Sequence, residues 1–421
     1  MREMKAIGVD WIGEIPVNWE VVRVKHQFQN KKEIAGDSSD KYQRLSLTLN
    51  GVLKKSKDDN EGLQPEKFDG YQILRENELV FKLIDLENTK TSRVGWSPYE
   101  GLVSPAYIKL NCSGDSRFGY YYFLSMWHRN IFNSLADDGV RSALNARDLL
   151  DLPYILPAEE ERVKIVRYLD LQSANIDNVI AKTTESIEEY KRLKQSIITE
   201  AVTKGLNPEA KMKDSGIEWI GEIPQAWEVG QLKHFGEAII GLTYAPEDVV
   251  DEGAFVLRSS NVQEGTIDLS DRVCVNLDVK EKLLLKKNDI LICSRNGSRS
   301  LIGKCALIDE QAEGKTFGAF MTVFRGDFNP YVYYVLNSSI FSFHIGTFLT
   351  ATINQLTTSN LNSIKIPMPP KEEQEAIAEF LKQKTQNIDS LIKKKRDLKC
   401  ELESYKKSLI YECVTGKREV M

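Results

Sequence analysis

Residues 8–26 read GVDWIGEIPVNWEVVRVKH and residues 216–234 read GIEWIGEIPQAWEVGQLKH, so 12 of 19 aligned positions are identical at an offset of 208. A second echo, at an offset of 212, carries LPAEEERVKIVRYLDLQSANID (156–177) onto MPPKEEQEAIAEFLKQKTQNID (368–389), and KQSIITEAVT (194–203) onto KKSLIYECVT (406–415). Four of the six tryptophans, Trp11, Trp19, Trp219 and Trp227, lie in the first pair of blocks. A chain of 421 residues built this way is two tandem halves of about 210 residues, each with its own copy of one site. Two related sites suit a target with two related parts.

Between its opening and closing blocks each half has a divergent centre. ENELVFKLID (76–85) shadows KNDILICSRN (287–296), and YYYFLSM (120–126) shadows VYYVLNS (332–338); little else repeats. A constant frame around a variable insert is the pattern of a modular reader. The centres predict mixed α/β structure, with strands at Tyr42–Leu49, Glu78–Ile84, Val103–Leu110, Phe255–Ser259, Asp289–Cys293 and Phe320–Phe324. These are short, β-branched or aromatic, and bounded by Gly, Asn and Asp. Segments 119–134 and 330–346 are expected to be helices packed on those sheets.

The closing blocks are helical. Pro157 and the pair Pro369–Pro370 end an extended segment, and the acidic residues that follow suit the positive end of a helix dipole. No proline or glycine then interrupts the chain until Gly205 or Gly416. At 1.5 Å per residue each helix spans roughly 70 Å. Apolar residues recur at 3–4 spacing: Ile176, Val179, Tyr190, Leu193 and Ile197, then Ile388, Leu391, Leu398, Leu402, Tyr405 and Leu409. That is a coiled-coil seam, with Thr183 and Lys395 at equivalent interruptions. Two such helices most economically bury their seams against each other.

Composition narrows the class. With 42% hydrophobic and 28% charged residues the chain is an ordinary globular one. No apolar run reaches the ~20 residues of a membrane span, and no signal peptide is evident. Six scattered cysteines without a C-x-x-C pair fit reduced thiols and a cytoplasmic setting, and the four histidines lack metal-ligand spacing, so no metal site is expected. A net charge of −5 argues against a simple nucleic-acid coat but allows a local basic face. Catalytic motifs fail on inspection. Gly314-Lys315-Thr316 lacks the earlier glycine of a phosphate-binding loop, and Asn329-Pro330-Tyr331 lacks the second proline of an amino-methyltransferase loop. No dinucleotide fingerprint, Pro-Asp nuclease opening or G-x-S-x-G occurs. The expectation is a protein without catalytic residues or a bound cofactor.

The doubled pattern G-[IV]-[ED]-W-I-G-E-I-P-x-x-W-E, closed by Ile366-Pro367-Met368-Pro369-Pro370-Lys371-Glu372-Glu373-Gln374 and Cys413-Val414-Thr415-Gly416-Lys417, resembles the specificity subunit of type I restriction–modification systems. The first half departs within the frame: Leu156-Pro157-Ala158-Glu159-Glu160-Glu161 lacks the second proline and the glutamine, and Lys204-Gly205 inverts Gly-Lys. The resemblance implies two target-recognition domains, each reading one half of a bipartite, asymmetric site in double-stranded DNA, and two long helices pairing as an antiparallel coiled coil that sets the spacer. It implies two methyltransferase subunits as partners, with motor–nuclease subunits optional. S-adenosylmethionine, ATP and Mg would sit on those partners. The expected divisions are 1–156 for the opening segment and first recognition domain, 157–206 for the first helix, 207–368 for the second segment and domain, and 369–421 for the second helix.

Base edges are read by polar side chains on loops that enter the major groove. In the first domain the candidates are Thr48, Asn50 and Lys54, then Lys82, Asn88, Lys90 and Arg93, then Arg141. In the second they are Arg258, Ser260 and Asn261, then Arg295, Asn296, Ser298 and Arg299, then Thr352, Asn354 and Gln355. The run Arg295–Arg299 is the strongest, with two guanidinium forks, an amide, and a glycine that lets backbone approach the duplex. Trp11, Trp19, Trp219 and Trp227 are candidate partner-docking residues at the junction of domain and helix. Two other classes fit the residues alone. One is a degenerate fused methyltransferase, which would bind S-adenosylmethionine by itself; the other is a coiled-coil scaffold that does not read DNA.

Overall fold

In the computed structural model, which describes residues 2–59, 67–84, 86, 91–136, 143–348 and 354–420, the chain forms two compact units. The first comprises Met1–Thr183 with Asp397–Met421, and the second Thr184–Arg396. Each boundary therefore falls inside a long helix rather than at its end.

In the first unit the opening block makes a small hairpin, Met4–Ala6 on Glu14–Pro16, and then sends Glu20–Arg23 against Pro153–Leu156. Between them lies the recognition domain. One sheet has the strand order Gly51–Lys55, Arg44–Thr48, Gly101–Val103, Gln72–Leu74. In Arg44–Thr48, burial alternates, with Leu45 and Leu47 inward, as a half-covered strand requires. A second sheet has the order Ile108–Leu110, Leu79–Phe81, Val94–Trp96. Helix Arg117–His128 covers it, and Phe81 meets Phe123 edge-on at 5.0 Å. Lys109 is buried in this sheet and paired with Glu78 at 3.0 Å, so its charge is compensated.

The second unit repeats the plan. Met212–Asp214 pairs with Glu222–Pro224, and Glu228–Gln231 with Lys365–Met368. Strands Met321–Arg325, Ile290–Cys293 and Cys305–Leu307 match the three-stranded sheet of the first unit, and Glu237–Ile240 adds an edge strand. Where that strand would stand in the first unit there is one bridge, Gln29 to Asn111. Helices Asn329–Leu336 and Ser339–Phe348 pack beside this sheet.

The long helices run over Glu159–Lys204 and Lys371–Val414. They pair antiparallel within each unit. In the first, Lys406 Nζ reaches both oxygens of Asp177 at 2.7 Å; in the second, Lys194 Nζ reaches Asp389 at 2.7 and 2.8 Å. These ion pairs are images of each other under the 212-residue repeat. Exposed pairs of this kind add little stability, but they fix register.

The seam differs from the sequence expectation. Ile176, Ile388, Leu402 and Leu409 face inward, but Val179, Leu193, Leu391, Leu398 and Tyr405 are each more than 40% exposed. The buried stripe instead passes through Ser173, Ile176, Thr183 and Ile187 on one helix, and Thr385, Ile388 and Ile392 on the other. Small hydroxyl residues occupy inward positions that an apolar count skips. Thr183 is buried, as a polar seam residue should be, whereas Lys395 reaches out over the Tyr190 ring at 5.7 Å.

Candidate nucleic-acid interface

In the second unit, strand Ile290–Cys293 delivers the chain into the Arg295–Arg299 loop. The Phe320 carbonyl anchors the loop, accepting from Ser294 N at 3.1 Å, Ser294 Oγ at 3.0 Å and Arg295 N at 3.0 Å. Arg295 forms an isolated antiparallel bridge with Gln355, and Leu356 N donates to Ser294 O at 2.7 Å. Asn354 Nδ2 donates to Gly297 O at 3.4 Å. Asn296 closes the turn by accepting from Ser298 N at 2.9 Å, and donates to Ser259 Oγ at 3.1 Å. Ser298 and Ser300 share a hydroxyl hydrogen bond, and Arg299 donates to Gly346 O at 3.3 Å. Arg295, Ser298, Arg299 and Gln355 are exposed. A guanidinium, a serine hydroxyl and a glutamine amide thus share one surface, set on backbone that is held in place.

Three further residues belong to this surface. Phe320 is 60% exposed, with the Arg295 guanidinium over its ring at 5.2 Å. Phe343 is 62% exposed on the helix that receives Arg299. Lys304 donates to Ser259 O at 3.2 Å. An exposed phenylalanine next to an arginine carries no sequence signal that separates it from a core strand residue.

Several candidates are tied into the fold. Asn261 is fully buried: it accepts from Arg258 N and donates to Asp268 O and Asp271 O, each at 2.8 Å, so its amide is consumed in shaping its own loop. Arg258 is held bidentately by Asp271 at 2.8 Å, and the exposed Ser260 is tied to the same carboxylate by a side-chain hydrogen bond. Arg93 is 1% exposed and lies inside the first domain beside the Ile84 carbonyl, so it presents nothing to DNA. Lys82 is half-buried against Thr91. Thr48 and Asn50 shape the turn after Arg44–Thr48, and Lys54 lies over Tyr99 at 4.6 Å. Asn88, Lys90, Arg141 and Thr352 fall outside the described residues.

The first unit nevertheless builds the same backbone device. Ile84 bridges Ala143 antiparallel, and Leu144 N donates to Leu83 O at 3.0 Å. In the alignment of ENELVFKLID with KNDILICSRN, Ile84 falls on Arg295, and the 212-residue offset carries Ala143 onto Gln355.

The tryptophans divide into two kinds. Trp19 and Trp227 are completely buried, which overturns their reading as residues that offer a ring to a partner. Trp19 Nε1 donates to Glu161 Oε2 at 2.7 Å, and Trp227 Nε1 to Glu373 Oε2 at 2.9 Å, each in the first turn of a long helix. A Cβ at Gly416 would lie 3.0 Å from the Trp19 ring, and one at Gly205 3.1 Å from Trp227; both glycines have φ near +70°. Trp11 and Trp219 are half-exposed. Trp11 packs on Tyr122 at 6.2 Å and Trp219 on His344 at 4.8 Å.

The near-motifs are structural. Asn329 is buried and caps backbone through Nδ2 to Asn288 O and Phe324 O, both at 2.9 Å; the Tyr331 hydroxyl donates to Pro367 O at 3.0 Å. Thr316 lies buried in a strand. Among the described residues no cluster of His, Cys, Asp and Glu could hold a metal, and no helix is long and apolar enough to cross a membrane.

Residues 224–399 match the model of the type I restriction modification DNA specificity domain. A putative type I restriction enzyme MjaX specificity subunit of Methanocaldococcus jannaschii is 27% identical, over 97% of this chain and 96% of that one. The MjaVIII specificity subunit of the same organism is 28% identical, over 83% of this chain and 80% of its own. This chain is thus similar, through most of its length, to type I restriction enzyme specificity subunits, and residues 224–399 carry the match to the DNA specificity domain. The EcoKI specificity subunit of Escherichia coli K12 is 30% identical over 47% of the chain. A solved chain from a study of assembly and conformational transition of the type I R-M system has the same fold, with a TM-score of 0.70 at 16% identity, covering 96% of this chain and 99% of that one. In this chain, then, the frames hold the helices, and the bridges Arg295–Gln355 and Ile84–Ala143 hold the variable edge.

Proposed function

We propose that this specificity subunit reads a bipartite, asymmetric site in double-stranded DNA, one half through each recognition domain, and contributes no catalytic residue of its own. The observation that carries this is the doubled bridge: the same backbone device displays different side chains in the two units, as two readers of two unlike half-sites require. The subunit docks two methyltransferase subunits, and ATP-dependent motor–nuclease subunits join where the system has them. S-adenosylmethionine, ATP and Mg are bound by those partners, in the cytoplasm. The antiparallel coil sets the spacer. A coiled-coil scaffold that ignores DNA is disfavoured by the exposed arginine, glutamine and serine groups fixed on one edge.

Exchange of residues 235–355 for the matching stretch of a relative tests the reading. In the assembled methyltransferase, only one half of the methylated sequence changes; a change in both halves, or in neither, refutes two independent readers. Spacer setting has its own test. One heptad inserted after Ile187 and one after Lys399 lengthens the coil by about 10 Å and the preferred spacer by about 3 base pairs. An active variant with the original spacer would show that the coil is not the ruler.

A further inference from the structure

At the two bridged positions that carry Arg295 and Gln355 in the second unit, the first unit has apolar side chains. Ile84 replaces the arginine and is 39% exposed; Ala143 replaces the glutamine. By sheet register, Ala106 stands where Phe320 stands, because Ile108 pairs with Phe81 as Thr322 pairs with Ile292. A cleft of about 410 Å³ lies here, with Ile84, Pro105, Ala106 and Ala143 in its wall; its polar members Asn30 and Asn145 are engaged with backbone, Asn30 donating to Lys109 O at 2.8 Å and Asn145 Oδ1 accepting from Arg147 N at 2.8 Å and Asp148 N at 3.1 Å. Lys32 Nζ donates to Pro105 O at 3.2 Å, which ties the rim. Gln72, buried below, donates to Ser104 O at 2.9 Å and Tyr107 O at 2.6 Å, so the segment that forms the wall is fixed.

We infer that this cleft is a specificity-determining pocket for the C5-methyl group of a thymine in the first half-site. In the major groove guanine offers two acceptors, cytosine a donor, and adenine an acceptor and a donor; thymine alone adds a methyl. Isoleucine and alanine side chains make no hydrogen bonds. Set against any of the first three bases, they would strip water from a polar edge without replacing it. Set against thymine, they bury a methyl in the cleft. The second unit reads its corresponding base pair through hydrogen bonds from Arg295 and Gln355, so the two half-sites are read by opposite chemistries at one equivalent position. This inference rests on the proposed DNA reading and adds the base and the group recognised.

The test uses the subunit assembled with its methyltransferase subunits, on a duplex carrying its own mapped methylation target. Each thymine of the first half-site is replaced in turn by deoxyuridine, which removes only the methyl. At one position binding weakens about fourfold, the change that ~0.8 kcal/mol for one buried methyl gives. Ile84→Ser binds the thymine and deoxyuridine duplexes equally at that position. The deoxyuridine arm leaves the protein untouched, so it stands even where the variant folds poorly. If no thymine in the first half-site responds to loss of its methyl, or if Ile84→Ser leaves the fourfold ratio intact, the pocket assignment is wrong. In either case an Arg295→Ala effect confined to the second half-site shows that the DNA reading survives. An assembly with no base preference in either half-site overturns both.

Discussion

The frame around Trp19 and Trp227 and the edge around Ile84 and Arg295 are both present twice, but they repeat in opposite ways. At the frame, the side chains themselves recur: a buried indole, a carboxylate one hydrogen bond away in the first turn of a long helix, and a left-handed glycine against the ring. At the edge only the backbone recurs, and the side chains change from apolar to hydrogen-bonding. Sequence identity between the halves therefore marks packing. Positions that differ on a shared backbone are where the proposed reading of the two half-sites lies. Looking for function in the most repeated residues leads to the wrong tryptophans.

The largest test of that contrast is at the frame. Trp227→Ala and Trp19→Ala should each cost about 3–5 kcal/mol of stability, the price of emptying a buried tryptophan site. Denaturant unfolding of each variant gives the values. Similar losses, with an unchanged methylated sequence in whatever assembles, support frames that only pack. A shifted target would erase the distinction between frame and edge.

At the edge the expected effect is smaller and of another kind. Arg295→Ala should remove about 1–3 kcal/mol of discrimination at one base pair of one half-site, with little change in folding, and Arg299→Ala should do the same at its own position. Competition binding across single-base variants measures it. Uniform weakening, with a salt slope reduced by about one, would make these residues phosphate contacts.

The smallest test separates the two frames. Burial pushes the Glu161 carboxyl up, but hydrogen bonds from Arg2 and Trp19 outweigh it and hold its pKa below the ordinary 4.5. A depressed carboxylate stabilises the fold above that value, and the contribution fades as pH falls through the lowered one. Glu161→Gln should therefore lose stability near neutral pH and lose less of it than wild type on acidification from about pH 5 to about pH 3. Parallel acid curves for the two proteins would show that the carboxylate's charge does not matter to the frame.

Much of this was legible in the sequence. The duplication, the two long helices and five of the six short strands of the centres follow from repeats, proline and glycine placement, and β-branched runs; the sixth, Val103–Leu110, is broken by a turn at Ser104–Tyr107 into the ends of two strands in different sheets. The inward face of the coil was not, because Ser173, Thr183 and Thr385 hold seam positions while Leu391, Leu398 and Tyr405 point outward. Nor was the fate of polar loop residues. Arg93 and Asn261 look like any loop arginine or asparagine, and only tertiary structure shows the one buried and the other spending its amide on local backbone. Ile84 was within reach. The echo that sets ENELVFKLID over KNDILICSRN places it under Arg295, but an apolar residue at a strand end gives no reason to stop there.

The boundary inside each long helix has a consequence for the order of events on the ribosome. The second unit is one unbroken stretch, Thr184–Arg396, and all its parts exist once that stretch has emerged. The first unit needs residues from Asp397 onward: Leu409, Ile410, Cys413 and Val414 share its core, and Gly416 lies against Trp19. Although its recognition domain is made first, its frame stays open until the second unit has been synthesised. For that interval Trp19 lacks its glycine neighbour and the start of the first helix has no partner strand of helix to lie on. The half that is translated first is thus the half that finishes folding last.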